Sequence, residues 1–161
     1  PDQLTLKLGN SSVKLRYHGR NNGRGSISMR FMPANVLHVV DWITVGRVMF
    51  KDLTGYDING VIVSTRELLE EEPFDRFVGG HGPTGTREDV EEFLAYLEAL
   101  YDAVRDGILA GKDLETLQEE IRLPEFSHLG KYDEWLPMNV AGVYRTLIEQ
   151  SYIDRRPDIG Q

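Results

Sequence analysis

The first forty residues hold four strand-like segments and no helical period, and helical spacing comes only afterwards. That order confines the chain to a sheet with helices laid against it. Leu4, Leu6 and Leu8 alternate with polar residues, Gly9-Asn10 breaks the run, and Val13, Leu15 and Tyr17 alternate again, as in a hairpin. After the glycine-rich stretch Gly19 to Gly25, Ser26 to Phe31 alternates, Pro33-Ala34-Asn35 turns, and Val36 to Val40 stays apolar until Asp41. An unbroken apolar run suits an inner strand, so Asp41 is expected at such a strand's C-terminal end.

Helical spacing begins at Ile58 and runs through Val61, Ile62, Thr65, Leu68 and Leu69 to Pro73. A short strand, Arg76 to Val78, leads into Gly79-Gly80-His81-Gly82-Pro83. Thr86 with Asp89 predicts a capped long helix turning Val90, Phe93, Leu94, Leu97, Leu100, Tyr101, Val104 and Ile108 inward, and Gly111 stops it. Asp113 caps a third helix with Leu114, Leu117 and Ile121 inward, closed by Pro124. The last helix carries Val140, Val143, Tyr144, Leu147 and Ile148, its start obscured by Pro137, and Asp154 to Gln161 reads as a loose tail.

At 161 residues and 40% hydrophobic content, the chain suffices for one core. A net charge of −8 without a Lys/Arg cluster speaks against a nucleic-acid partner. Without cysteine, neither a disulfide framework nor a thiolate zinc site can form, so a transition metal would need His and carboxylate ligands. That composition suits a cytoplasmic protein. No apolar run of ~18 residues and no signal-peptide layout is present, so no membrane partner is expected. The strand pattern opens within about three residues of Pro1, as if the chain were entered in mid-sheet.

Three pieces bear on chemistry. Asp41 closes an apolar strand, where a carboxylate is costly to bury unless it is paired, hydrogen-bonded or metal-bound. His81 sits among glycines, whose small size lets backbone pass close to a ligand and leaves the imidazole free to enter a cleft. The loop Gly19 to Ser26 carries Asn21, Asn22 and Arg24 but lacks the spacing of a phosphate-binding loop. Each piece also has an ordinary reading: a hydrogen-bonded acid, a polar loop residue, a turn.

In order, the stretches Gly19-Arg20-Asn21-Asn22-Gly23-Arg24-Gly25-Ser26, Val36-Leu37-His38-Val39-Val40-Asp41 and Gly79-Gly80-His81-Gly82-Pro83 resemble the second half of the metallo-β-lactamase family. Gly46-Arg47 followed by Phe50 and Asp52 looks like the family's segment after its bridging Asp. The resemblance spans roughly Leu4 to Leu109. It implies an α/β fold, half of a four-layer αββα sandwich, with residues 1–110 as the C-terminal half of the domain, 111–153 a helical extension and 154–161 the tail. It further implies a hydrolase in which a metal-bound hydroxide attacks an ester, lactam, lactone or thioester. Zinc, one or two ions, or iron or manganese, would be held in part by Asp41 and His81.

The family's His-x-His-x-Asp-His loop, which supplies most ligands, lies outside this chain. Asn22 stands where the family has a His ligand and Gly23 where it has Thr or Ser, and an amide oxygen binds zinc more weakly than imidazole. His18, just before that loop, could substitute for it, and His128 could line a substrate mouth; His38 alternates with Val36 and Val40. The partners implied are the remaining N-terminal half, or a second copy, and a small-molecule substrate, with the chain alone inactive. The other reading is a degenerate member that binds a small molecule or a protein without hydrolysis.

Overall fold

A computed structural model describes residues 2–71 and 73–153; the expected tail at 154–161 lies outside them. Six strands form one sheet in chain order: β1 (Gln3–Leu8), β2 (Ser11–Tyr17), β3 (Ile27–Met32), β4 (Val36–Val39), β5 (Arg76–Gly79) and β6 (Thr84–Gly85). The β1–β2 hairpin turns on Gly9, whose φ of 58° suits a residue without Cβ, and Leu8 faces Ser11 across it. Every pairing is antiparallel except β4 with β5, which are parallel and joined by the crossover helix α1 (Ile58–Glu70).

Register sorts the side chains onto two faces. Leu37, Val39 and Phe77 share one face and are buried there under the helices. On the same face β2 and β3 present Lys14, Arg16 and Arg30 instead, and Glu71 of α1 meets Arg16 at 2.7 Å and Lys14 at 3.4 Å. The opposite face carries the rows Leu4, Leu15, Met29, His38 and Leu6, Val13, Phe31, Val36, and none of these side chains is buried.

Helix α2 (Arg87–Leu109) starts in the capping box that the sequence predicts, Thr86 N–H donating to Asp89 at 2.6 Å. Its buried face differs in one place from the expected one. Tyr96 is fully buried while Tyr101 is only half-buried, because α2 packs on two sides and Tyr96 donates its hydroxyl hydrogen to Asn139 at 2.7 Å. Helix α3 (Leu114–Glu120) follows Asp113, and a 3₁₀ turn, Pro124–Phe126, leads into α4 (Tyr132–Ile153). Pro137 thus falls inside α4, and the helix opens before it because Tyr132, Trp135 and Leu136 are all buried. Helices α3 and α4 share one hydrophobic core with the sheet and α2. Among the described residues no helix is long and apolar enough to cross a membrane.

Candidate functional site

The parallel pairing of β4 and β5 sets the site. Val39 lies opposite Gly79, so both strands leave the sheet at the same edge, and Asp41 and His81 follow within two residues. There His81 Nε2 stands 3.0 Å from Asp41 Oδ1, with both side chains exposed. The glycines make this approach possible. A Cβ on Gly80 would lie 2.8 Å from Val40 Cγ1, and Gly82 adopts φ 101°, so a residue with a side chain would push the loop off Asp41 or strain it. Asp41 itself sits at φ 74°, a left-handed conformation that Asp tolerates better than most residues, and Tyr56 donates its hydroxyl hydrogen to the Asp41 carbonyl at 3.0 Å. Burial, reinforced by the Asp41 charge, pushes the Tyr56 phenol up, so it stays a neutral donor.

Asp41 and His81 stand at a cleft of about 500 Å³ whose other lining residues are Thr44, Arg47, Phe50, Tyr56 and Trp135. Most come from residues 40–57, a long stretch with neither strand nor helix, which is uncommon in a compact domain outside functional loops. It is held like core. Trp42, Ile43, Val48, Met49 and Leu53 are buried, and full burial of such a side chain is worth roughly 1.5–3 kcal/mol. Its carbonyls are satisfied from the C-terminal helices: Asn139 donates to Met49 at 3.1 Å and Lys51 at 2.6 Å, and Val48 N–H donates to the Gly130 carbonyl at 3.1 Å. Trp135 of α4 meets Phe50 edge-on at 5.3 Å, and the Arg47 guanidinium stacks over the Trp135 ring, also at 5.3 Å.

The other three residues singled out from the sequence do not line this cleft. His18 lies beneath α1 with no side-chain exposure, its Nε2 2.8 Å from Ser28 Oγ and its Nδ1 3.4 Å from Glu67. Serine, histidine and glutamate are the types of a nucleophilic triad, but Ser28 is buried too, so this group serves as a polar bridge between sheet and helix. Asn22 pairs through its backbone with Tyr56 at the rim. His128 is exposed and held 2.8 Å from Glu92. Of the cleft residues, Thr44, Tyr56 and Trp135 carry no sequence motif. What could have flagged the segment is its apolar content without either period. Trp135, on a distant helix, gives no such sign.

Solved structures share this arrangement. The stereoselective inverting sec-alkylsulfatase Pisa1 from Pseudomonas sp. matches 98% of the chain with a TM-score of 0.69 at 15% identity, over 28% of its own length. A metallo-β-lactamase from Pontibacter korlensis matches 60% of the chain with a TM-score of 0.52 at 16% identity, over 46% of its length. The chain has the metallo-β-lactamase fold. It spans less than half the length of either structure, and its six-stranded sheet with helices on one face corresponds to half of a metallo-β-lactamase sandwich. The sulfatase match takes in α3 and α4 as well. No family sequence model matches the chain, and no curated protein matches it in sequence. Among the described residues no group of three or more His, Cys, Asp and Glu side chains is placed to hold a metal ion.

Proposed function

We propose that the Asp41–His81 edge is part of the metal centre of a metallo-β-lactamase-type hydrolase. The observation that carries this reading is the convergence of the two side chains at 3.0 Å beside an apolar-walled cleft. Imidazole nitrogen and carboxylate oxygen are donors that suit zinc, and also iron or manganese. Two such donors are fewer than the three or four protein ligands zinc ordinarily takes, so the rest would come from outside the described residues. When bound, the metal would supply an activated water and polarise the carbonyl of an ester, lactam, lactone or thioester. The chain's own part is to present Asp41 and His81 from one rigid edge, to fix the Asp41 backbone through Tyr56, and to keep water off the substrate with Phe50 and Trp135. The cleft volume suits a small molecule.

We assign the unburied sheet face, with Leu4, Leu6, Val13, Leu15, Met29 and Phe31, to contact with the second layer of the sandwich, which would bring the remaining ligands over Asp41 and His81. The short span of the chain against both matched structures supports this occupant over a second copy.

A non-catalytic binding module is the other reading. Asn22, where the family has a histidine, favours it.

Zinc titration of the full protein by calorimetry, with Asp41→Asn and His81→Ala, tests the proposal. Each substitution should weaken zinc by at least about tenfold, since even losing a ligand's supporting partner does so. Unfolding should shift by less than about 0.5 kcal/mol, because both side chains are exposed. Unchanged affinity in both variants would remove the metal reading. Tight zinc without turnover of any ester or lactam would favour the binding module.

A further inference from the structure

Arg47 is the cation of the cleft, and its surroundings differ from those of other arginines. Arg16, Arg66, Arg87 and Arg105 each have a carboxylate within 2.7–2.8 Å. Arg47 has no carboxylate in ion-pair range among the described residues, although the chain carries 26 acidic side chains against 18 basic ones. Its single hydrogen bond is a long one, from Nη1 to the Val48 carbonyl at 3.4 Å. A guanidinium offers five N–H donors, so most of them are unspent, and a partly buried cation without a counter-charge is costly. Three residues earlier, Thr44 is only 4% exposed and its hydroxyl finds no partner, which in a folded interior calls for explanation. Both residues line the same cleft as Asp41 and His81.

We infer that Arg47 and Thr44 form an oxyanion-binding subsite, and that the protein's substrate carries an anionic carboxylate, sulfate or phosphate group beside the bond to be broken. This rests on the hydrolase reading for the word substrate, but the subsite itself does not depend on a metal. The cleft is polar in charge along its length. Asp41 repels an anion from one end, Arg47 attracts it to the other, and Phe50 and Trp135 wall the space with aromatic faces. The anion therefore fixes which way the substrate lies. An Arg guanidinium suits the task better than Lys because its planar fork matches two oxygens at once, and stacking on Trp135 holds that plane.

The test uses the full protein in chelator, so that no metal contributes. Sulfate, phosphate and acetate are titrated separately while tryptophan fluorescence and calorimetric heat are followed. Saturable binding of at least one at millimolar concentration is expected. Arg47→Ala should weaken it by roughly tenfold to a hundredfold, the range for a charged hydrogen bond, and Thr44→Val by less. Arg47→Lys keeps the charge and should recover only part of the affinity. Which anion binds tightest names the group.

With zinc restored, kcat/KM for an ester bearing that anion should fall in Arg47→Ala by a similar factor, chiefly through KM, while a neutral ester of equal size changes little. Anion binding that persists undiminished in both Arg47→Ala and Thr44→Val overturns the inference. So does no binding at all by the wild type, which would mean that a carboxylate from elsewhere in the protein already satisfies Arg47. Either result leaves the zinc titrations with Asp41 and His81 variants untouched, so the two readings fail separately.

Discussion

His18 shows how one residue's setting can decide its chemistry. Its ring is sealed between the sheet and α1, facing Glu67 and Glu71 of the helix, Arg16 and Ser28 of the strands, and the edge of Trp42 at 5.8 Å. Burial holds its pKa below the ordinary 6.5, despite the pull of the two glutamates. The sign follows from proton counting. Below pH 6.5 the unfolded chain takes up a proton that the folded chain refuses, so this contribution is complete above that value and is lost as the pH falls towards the depressed folded pKa. Urea unfolding from about pH 8 to about pH 5 should show stability declining on the acid side. His18→Gln, which cannot charge, should flatten that decline; an unchanged slope would place the titrating group elsewhere. From the sequence, a histidine at a strand end beside a polar loop was a candidate for the site. Only its neighbours across the sheet and on α1 remove it.

Among the elements, α4 matters most to the cleft. Its Asn139, wholly buried, spends its amide hydrogens on the Met49 and Lys51 carbonyls and accepts from Tyr96, tying α2, α4 and the site loop at one point. Asn139→Ala would leave two carbonyls and a phenol without partners. A loss of about 2–4 kcal/mol is expected, since each unsatisfied buried group costs about 1–3 kcal/mol and water would reach part of the space. Thermal or urea unfolding measures it. The same variant should loosen the Phe50–Trp135 wall, visible as greater exposure of tryptophan fluorescence to a soluble quencher. The starts of α2 and α3 were legible because Thr86, Asp89 and Asp113 act on backbone within a few residues. The start of α4 was not, because the packing of Trp135 and Leu136 against distant residues outweighs the break expected at Pro137.

At the scale of the whole molecule, the open sheet face is the dominant fact. Soluble monomers seldom leave more than a few hundred Å² of contiguous apolar surface uncovered. The chain by itself should therefore not elute as a lone species of 18.3 kDa, and light scattering on the eluted peak checks this. Leu6→Lys with Phe31→Lys, in one row of that face, should abolish association while changing the unfolding midpoint little, because neither side chain is buried. A wild-type peak at 18.3 kDa would argue that nothing needs to cover the face. What the sequence determined by itself is whatever is local or periodic: the strands and their alternation, the helix caps, and the glycines that free His81. It also brought Asp41 and His81 forward as a pair, through spacing and resemblance. Tertiary structure alone decided that β4 and β5 run parallel and so deliver both residues to one edge, that His18 is buried, and that Thr44, Arg47 and Trp135 share a cleft. Those contacts join residues distant in the chain, and no local period or cap encodes which distant side chain will fill a given space.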